Sequence, residues 1–439
     1  MADPEDSNLL NKLQSVPPET VTKGPIIIAM GVGGGGGNAV NYMWRQGIQG
    51  VEFVALNTDF QVLDLLEVPT KLLLGPKLCG GNGAGGVASV GAAAAAESAP
   101  DIERLVDRHV DMVFVTAGMG GGTGTGAAPV VAKICKDRDI LTIGIVTIPF
   151  FFEGTEKLKS ALDGAAQLKQ TVDALLVINN DRLGDIYPDI EWGAAFEKAD
   201  DILAMASRSI SEMVTTPAMI NIDMRDVDTT LRNGRTAFIS VGYGEGENRM
   251  SKAIQNARHS PLLCDTDLLS ARRLLFAFYY SHEIDPPFRV TEVQEINKLV
   301  AEMNKGVKVI FGWGYDDTLG NSVKFTILAS GFDVTVEHGA GDSVIEGVTE
   351  ENRPETDEID ARIVGAYGSE KVNEFIRQQE TKNYYILSAD QLDSDQAIDM
   401  VEKNPAFKRD KRKAQRGPEP EATARKTNSN EINFSLDDR

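Results

Sequence analysis

One segment constrains this chain more than any other. Gly118-Met119-Gly120-Gly121-Gly122-Thr123-Gly124-Thr125-Gly126 follows an apolar run, Met112–Thr116, and leads into a helical pattern from Ala127. Glycines between a strand and a helix let backbone N–H groups approach an anion closely, and the helix N-terminus adds partial positive charge. Thr123 and Thr125 add hydroxyl donors. Close helix–sheet packing accounts for one or two such glycines, not for six interleaved with threonines. The segment predicts a phosphate cradle.

A second cradle precedes it. Gly31-Val32-Gly33-Gly34-Gly35-Gly36-Gly37-Asn38 lies between the apolar run Ile26–Met30 and a helix expected from about Ala39. Gly31, Gly33 and Gly36 fit the dinucleotide pattern G-x-G-x-x-G, and Asp59 stands where that pattern asks for an acidic residue, about twenty residues on. Alone, this region favours a nicotinamide or flavin protein. A dinucleotide fold has no need of a second glycine loop, however, and two loops at two strand ends can grip one polyphosphate from both sides. The P-loop pattern G-x-x-x-x-G-K-[ST] does not occur in the sequence.

The surrounding pattern gives the fold class. Short apolar runs at Ile26–Met30, Val51–Leu56, Lys71–Leu74, Met112–Thr116, Ile140–Thr147 and Ala174–Ile178 alternate with helical stretches. Fully apolar strands separated by helices predict a doubly wound parallel α/β sheet, with ligands at the carboxyl ends of its strands. A long helix is expected over 193–216, about 34 Å from Gly193 to Thr215. Its apolar stripe includes Phe196, Ala199, Leu203, Ala206, Ile210 and Met213. The expected organisation is a flexible arm (1–24), a nucleotide-binding domain (25–192), the central helix, a smaller mixed α/β domain (217–336) and a largely disordered charged tail (337–439) with a short helix near 391–403.

Composition excludes several classes. A formal charge of −21 argues against nucleic-acid binding by the main body. Three dispersed cysteines and four scattered histidines fit neither a disulfide framework nor a metal site. No apolar run approaches the roughly 18 residues of a membrane span, and the acidic N-terminus is unlike a signal peptide. The expectation is a cytoplasmic protein.

GMGGGTGTG resembles the signature loop of the tubulin/FtsZ family. GVGGGGGNAVNYM, VALNTD, Phe152–Gly154, Asn179–Asp181, NIDMRDV, ENRMSKAI and HSPLL resemble its bacterial cell-division branch, in family order over about residues 25–335. The tail segment Tyr384–Arg412 is similar to linkers in Bacteroidetes members. The resemblance implies a GTPase that polymerises head to tail into filaments of a mid-cell division ring. GTP/GDP would be bound with Mg2+, and K+ is a candidate companion ion. Division proteins and membrane tethers would engage the C-terminal tail, without direct membrane insertion.

By position, the resemblance assigns nucleotide contacts to Gly34, Gly35, Gly36, Gly37 and Asn38, to Asn57 and Asp59, to Gly85, and to Gly122, Thr123, Gly124 and Thr125. Glu153 and Lys157 would meet the ribose side, Asn180 and Asp200 would read guanine, and Phe196 would stack near the base. A carboxylate suits guanine because N1–H and the N2 amine are both donors. Asp200 or Asp201 alone would read as a solvated helix face; Phe196, one turn earlier on the same face, favours the site.

Asn221, Asp223 and Asp226 lie just past the long helix, a domain width from the base-reading residues. They cannot reach a nucleotide bound by their own chain. They can reach a neighbour's if subunits stack head to tail, a heterologous contact that builds filaments. Asp223 and Asp226 would orient water toward the γ-phosphate, with Asn221 touching nucleotide or holding the loop. The residues alone favour an Asx-type turn capping the next helix; the resemblance favours catalysis. Met224-Arg225 stands where the family usually has Phe-Ala, Lys157 where it commonly has Arg, and Val87 where it has Asn. The end segment Asn433–Arg439 keeps only Phe434 and Leu436 as apolar anchors. Two alternatives follow from these residues: a filament scaffold with impaired hydrolysis, and a Rossmann-type oxidoreductase.

Overall fold

A computed structural model describes residues 25–186, 189, 191–216, 218–258, 268–303, 306–332 and 361–368, with Val372, Ile386–Leu387 and Ile432–Asn433. The arm over 1–24, the helix expected near 391–403 and the apolar anchors Phe434 and Leu436 lie outside the described residues. The chain divides into two units, 1–367 and 368–439.

The first unit opens with β1 (Ile27–Val32), α1 (Gly33–Arg45), β2 (Val51–Asn57), α2 (Phe60–Leu65) and β3 (Thr70–Leu73). It continues with α3 (Ala88–Glu97), α4 (Ala99–Leu105), β4 (Met112–Gly118), α5 (Gly122–Lys136), β5 (Leu141–Ile148), α6 (Thr155–Thr171) and β6 (Ala174–Asn179). After α7 (Arg182–Ile186) comes α8 (Trp192–Thr215), the long helix, then α9 (Met224–Leu231). The remainder is β7 (Arg235–Glu245), α10 (Arg249–Arg258), β8 (Arg273–Tyr280), α11 (Val290–Glu302), β9 (Lys308–Tyr315), β10 (Ser322–Ser330) and α12 (Ala361–Tyr367). In the second unit, β11 (Ile386–Leu387) pairs antiparallel with β12 (Ile432–Asn433).

Strands β1, β4 and β5 are buried along nearly their whole length, and helices cover both faces of the parallel sheet they anchor. The expected parallel α/β sheet is therefore present, but it does not stop at the expected domain boundary. One ten-stranded sheet runs β3-β2-β1-β4-β5-β6-β7-β10-β8-β9. The halves join at two register pairs, Ala174↔Arg235 and Leu175↔Thr236, between parallel β6 and β7. Asp173 holds this seam. It is buried, its Oδ2 accepts from Thr142 N (3.0 Å), its carbonyl accepts from Arg235 N (3.0 Å), and Lys136 and Arg232 lie within 3.8 Å of its carboxylate. A buried carboxylate is tolerable only with such partners.

Helix α8 lies across the seam. Ala199, Ile202, Leu203, Ala206, Ile210 and Met213 are buried in a core that also takes in Leu275, Ala277 and Leu328 from the second half. Ser207, Ser211 and Thr215 each return a hydroxyl to the carbonyl four residues back, which lets polar side chains sit against the sheet. Phe196 departs from the expected stripe: it is 45% exposed. A separate core, with Met250, Phe276, Phe278, Leu299 and Phe325, fills the far side of β7–β10.

Two helices begin earlier than the sequence predicts. α1 starts at Gly33 rather than Ala39, and α5 at Gly122 rather than Ala127. Glycine's low helix propensity hides both starts, and tertiary packing overrides it. The tail also contains more structure than expected. Within 337–439, Ala361–Tyr367 is helical, and Ile363, Ala366 and Tyr367 are buried.

Candidate functional site

The two glycine loops are neighbours because β1 and β4 pair directly, with Gly31 opposite Thr116 and Val32 opposite Ala117. They pack backbone on backbone. Gly33 has a φ of +76°, and a Cβ there would stand 2.8 Å from Gly124 N. A Cβ at Gly36 would come within 2.3 Å of Thr116 O, at Gly124 within 2.4 Å of Gly118 O, and at Gly126 within 1.8 Å of Ala88 O. Packing thus explains more of these glycines than the sequence reading allowed.

It does not explain Gly34, Gly121, Gly85 and Gly86, where an added Cβ meets nothing within 4 Å. These four border open space, and Gly85 and Gly86 also carry a positive φ (+58° and +77°). Gly35 and Asn38 are exposed like Gly34, whereas Gly36, Gly37, Gly122 and Gly124 are buried. Gly86 and Gly121 are not among the nucleotide contacts assigned by resemblance, although Gly121 lies within the predicted cradle.

The two threonines differ. Thr123 Oγ1 lies 2.6 Å from Thr58 Oγ1 on the partly open side. Thr125 is buried, and its Oγ1 accepts from Gly120 N (2.8 Å). That bond staples the loop and leaves the Thr125 O–H proton to donate. Asp59, expected at the nucleotide, caps α2 by accepting from Gln61 N (2.9 Å) and Val62 N (3.2 Å). Asn57 is buried beside it, accepting from Asp59 N (3.3 Å). Val87 stands at the N-cap of α3 and supplies no side-chain cap bond; an asparagine would supply one.

Past β5 and β6 a second group gathers. Phe150 packs edge-on against Phe196, with centroids 5.3 Å apart, and stacks on Phe152 at 5.4 Å. Glu153 Oε1 accepts from Phe150 N (2.8 Å), and its other oxygen pairs with Lys157. Asn180 is buried, held by its N–H on Ile148 O (3.3 Å), and its Oδ1 accepts no hydrogen bond from any described residue. A buried unpaired acceptor is costly unless a ligand supplies the donor.

The structure separates Asp200 from Asp201. Asp201 is engaged by Tyr42 (3.2 Å) and Lys198 (2.7 Å). Asp200, half-buried on α8, has its carboxyl pushed up to about 7, first by burial and then by the charge of Glu197. A carboxylate held in that condition is short of donors.

Asn221, Asp223 and Asp226 lie at the opposite end of α8, whose 24 residues span about 36 Å. Asp223 caps α9: its Oδ1 accepts from Asp226 N (2.9 Å), and Asp226 Oδ2 accepts from Asp223 N (3.0 Å). This reciprocal box is the capping turn that the residues alone favoured. It fixes both carboxylates while using one oxygen of each in these bonds. Asn221 Oδ1 accepts from Ala218 N (2.7 Å). The segment before it is pinned to the edge of the sheet, with Met219 N and Ile220 N on Trp313 O and Trp313 N on Ile220 O. The expected site residues therefore form two groups, one at each end of α8.

The chain resembles known proteins over most of its length. Residues 26–188 match the Tubulin/FtsZ family GTPase domain, and residues 235–333 match the FtsZ family C-terminal domain. The chain is 44% identical over 394 residues to cell division protein FtsZ of Porphyromonas gingivalis, covering 88% of this chain and 86% of that one. It is 42% identical to FtsZ of Aquifex aeolicus over 307 residues, 70% of this chain and 83% of the relative. An empty FtsZ dimer from M. jannaschii superposes with a TM-score of 0.64 at 37% identity, covering 75% of this chain and 93% of that one. Both family domains stand in order, and close identity extends well beyond them: the chain belongs to the FtsZ branch of the tubulin/FtsZ family of GTPases.

Proposed function

We propose that this chain binds GTP at the carboxyl ends of β1, β4, β5 and β6, and that the next subunit of a head-to-tail filament completes the hydrolytic site. The observation that carries this reading is the division of polar groups between the two ends of α8. An open cradle, an unpaired Asn180 Oδ1 and a donor-poor Asp200 lie at one end; the paired carboxylates of exposed Asp223 and half-buried Asp226 lie at the other. Stacked subunits bring the two ends together.

The open glycines would present N–H groups to the phosphates, with Thr123 as hydroxyl donor. Asn180 Oδ1 and the Asp200 carboxylate would accept from guanine, while Phe196 covers the base. Mg2+ would travel with the nucleotide, supplying charge neutralisation across the phosphates, with K+ as a candidate companion ion. In the assembled junction, the free oxygens of Asp223 and Asp226 would hold a water in line with the γ-phosphate and receive its proton as the new P–O bond forms and the bond from the γ-phosphorus to the β–γ bridging oxygen breaks, releasing GDP and phosphate. The work is positioning and electrostatics, as phosphoryl transfer requires. Arg225, exposed between them, adds a cation to the face a neighbour would meet. The division site is the proposed place of action, with tail-bound partners as its anchors.

GTP added to the purified protein should raise light scattering together with phosphate release. Scattering without release would instead support a non-hydrolysing scaffold, and NAD binding with neither signal would support the oxidoreductase.

The carboxyl of Asp200 adds a pH dependence. Guanine's two donors require the ionised form, but the free site holds the carboxyl at about 7. Affinity for GTP should be level above pH 7 and fall about tenfold per unit below it. Tripolyphosphate shares the phosphate titration but has no base, so the excess slope of GTP over tripolyphosphate in titration calorimetry isolates Asp200. Equal slopes would remove Asp200 from the base site.

A further inference from the structure

The short helix α12 lies far along the chain from every residue assigned above, yet it packs behind the base end of the site. Tyr367 donates its hydroxyl to Pro149 O (2.6 Å), and its ring lies against Phe151 with centroids 5.2 Å apart. Asn179 Nδ2 donates to Ala366 O (2.8 Å), a bond bridging 187 positions of sequence. Arg362 closes the outer side on Asp163 of α6 (2.8 Å). Ile363, Ala366 and Tyr367 are buried in the process, and Phe151 is only 6% exposed.

The contacts to Pro149, Phe151 and Asn179 each fall one residue from a group assigned to the base. Pro149 and Phe151 flank Phe150, which meets Phe196 edge-on. Phe151 N is further fixed by Asp181 Oδ1 (3.1 Å). Asn179 precedes Asn180, whose Oδ1 is the unpaired acceptor, and Asn179 Oδ1 itself accepts from Asp181 N (3.0 Å). The helix thus grips the ends of β5 and β6 from behind, through backbone and buried side chains. It touches neither glycine loop in any of these bonds.

We propose that α12 is a positioning element for the guanine end of the nucleotide site, so that docking of α12 and occupancy by a guanine base favour each other. This rests on the reading of the site given above. Reciprocity is thermodynamic: if the docked helix tightens base binding by some factor, base binding tightens docking by the same factor. Since the rest of the C-terminal tail departs from Tyr367, nucleotide state would be felt where the tail begins.

The test uses the full chain below its assembly concentration, with GDP as the guanine ligand and tripolyphosphate as a ligand for the phosphate end alone. Tyr367→Ala should raise the GDP dissociation constant about fivefold or more and leave tripolyphosphate unchanged. Tyr367→Phe, which keeps the ring against Phe151 but loses the bond to Pro149, should fall between. Arg362→Ala, which removes a part-buried ion pair to Asp163 and leaves Ile363, Ala366 and Tyr367 in place, provides a second variant and should shift GDP in the same direction. Hydrogen exchange across 361–367 should slow when the parent protein binds GDP and stay constant with tripolyphosphate. Equal losses for both ligands, or unchanged GDP affinity with unchanged exchange, would overturn the proposal. If the parent protein itself failed to bind GDP, the site reading would fall, and this inference with it.

Discussion

Asp226→Ala should leave GTP binding within about twofold of the parent while lowering turnover by about a thousandfold, the scale of a lost positioning group in phosphoryl transfer. The complication is structural. Asp226 Oδ2 accepts from Asp223 N in the box that starts α9, so alanine also removes a cap, at about 1 kcal/mol. Asp226→Asn separates the two roles. Its amide oxygen can still accept from Asp223 N, but its charge is gone. If Asp226 acts on water at the neighbour's phosphate, both variants lose turnover and only alanine loses noticeable stability. If it acts only as a cap, asparagine restores the rate. Phosphate release, read beside GTP binding and thermal unfolding, decides between them.

Asp200→Asn should exchange one nucleotide for another. The asparagine amide offers an oxygen for N1–H but a donor where guanine also presents its N2 amine, so two donors oppose each other. Loss of one charge-assisted bond and an unfavourable donor pair should weaken GTP by about two orders of magnitude. Xanthine carries a carbonyl at position 2, which that donor fits, so XTP should become the preferred ligand in competition binding. The same change should stabilise the nucleotide-free protein at pH 8. A carboxyl raised to about 7 in the folded chain contributes stability below its unfolded value, and that contribution is lost as pH rises through 7; a neutral amide has nothing to lose. Undiminished GTP preference would show that another group reads the base.

The parallel sheet was legible because β1, β4 and β5 are buried on both faces and so read as continuous apolar runs. The two glycine loops were legible as a candidate site because their glycines exceed what a turn needs. Their internal arrangement was not. Whether a glycine faces a ligand or a neighbouring carbonyl depends on elements distant in sequence, as with Gly126 against Ala88 and Gly36 against Thr116. The spacing of Phe196 fits a buried stripe as well as an exposed ring; only the packing of Phe150 distinguishes them. Asp200 and Asp201 are adjacent and chemically alike, and Tyr42, 159 positions away from Asp201, tells them apart. The continuous sheet was hidden because its seam is two register pairs long and held by one buried aspartate. Helix α12 was hidden within a polar stretch because its seven residues are too few for periodicity to mark a face.

The most direct test of a site divided between subunits is turnover per subunit measured against protein concentration in saturating GTP. A site completed by the neighbour predicts almost no phosphate release below a threshold concentration, a steep rise at that threshold, and a plateau once nearly every cradle is covered by another chain's Asp223 and Asp226. A rate per subunit that stays constant down to concentrations where the protein is monomeric would mean that each chain hydrolyses GTP alone, and would contradict the account.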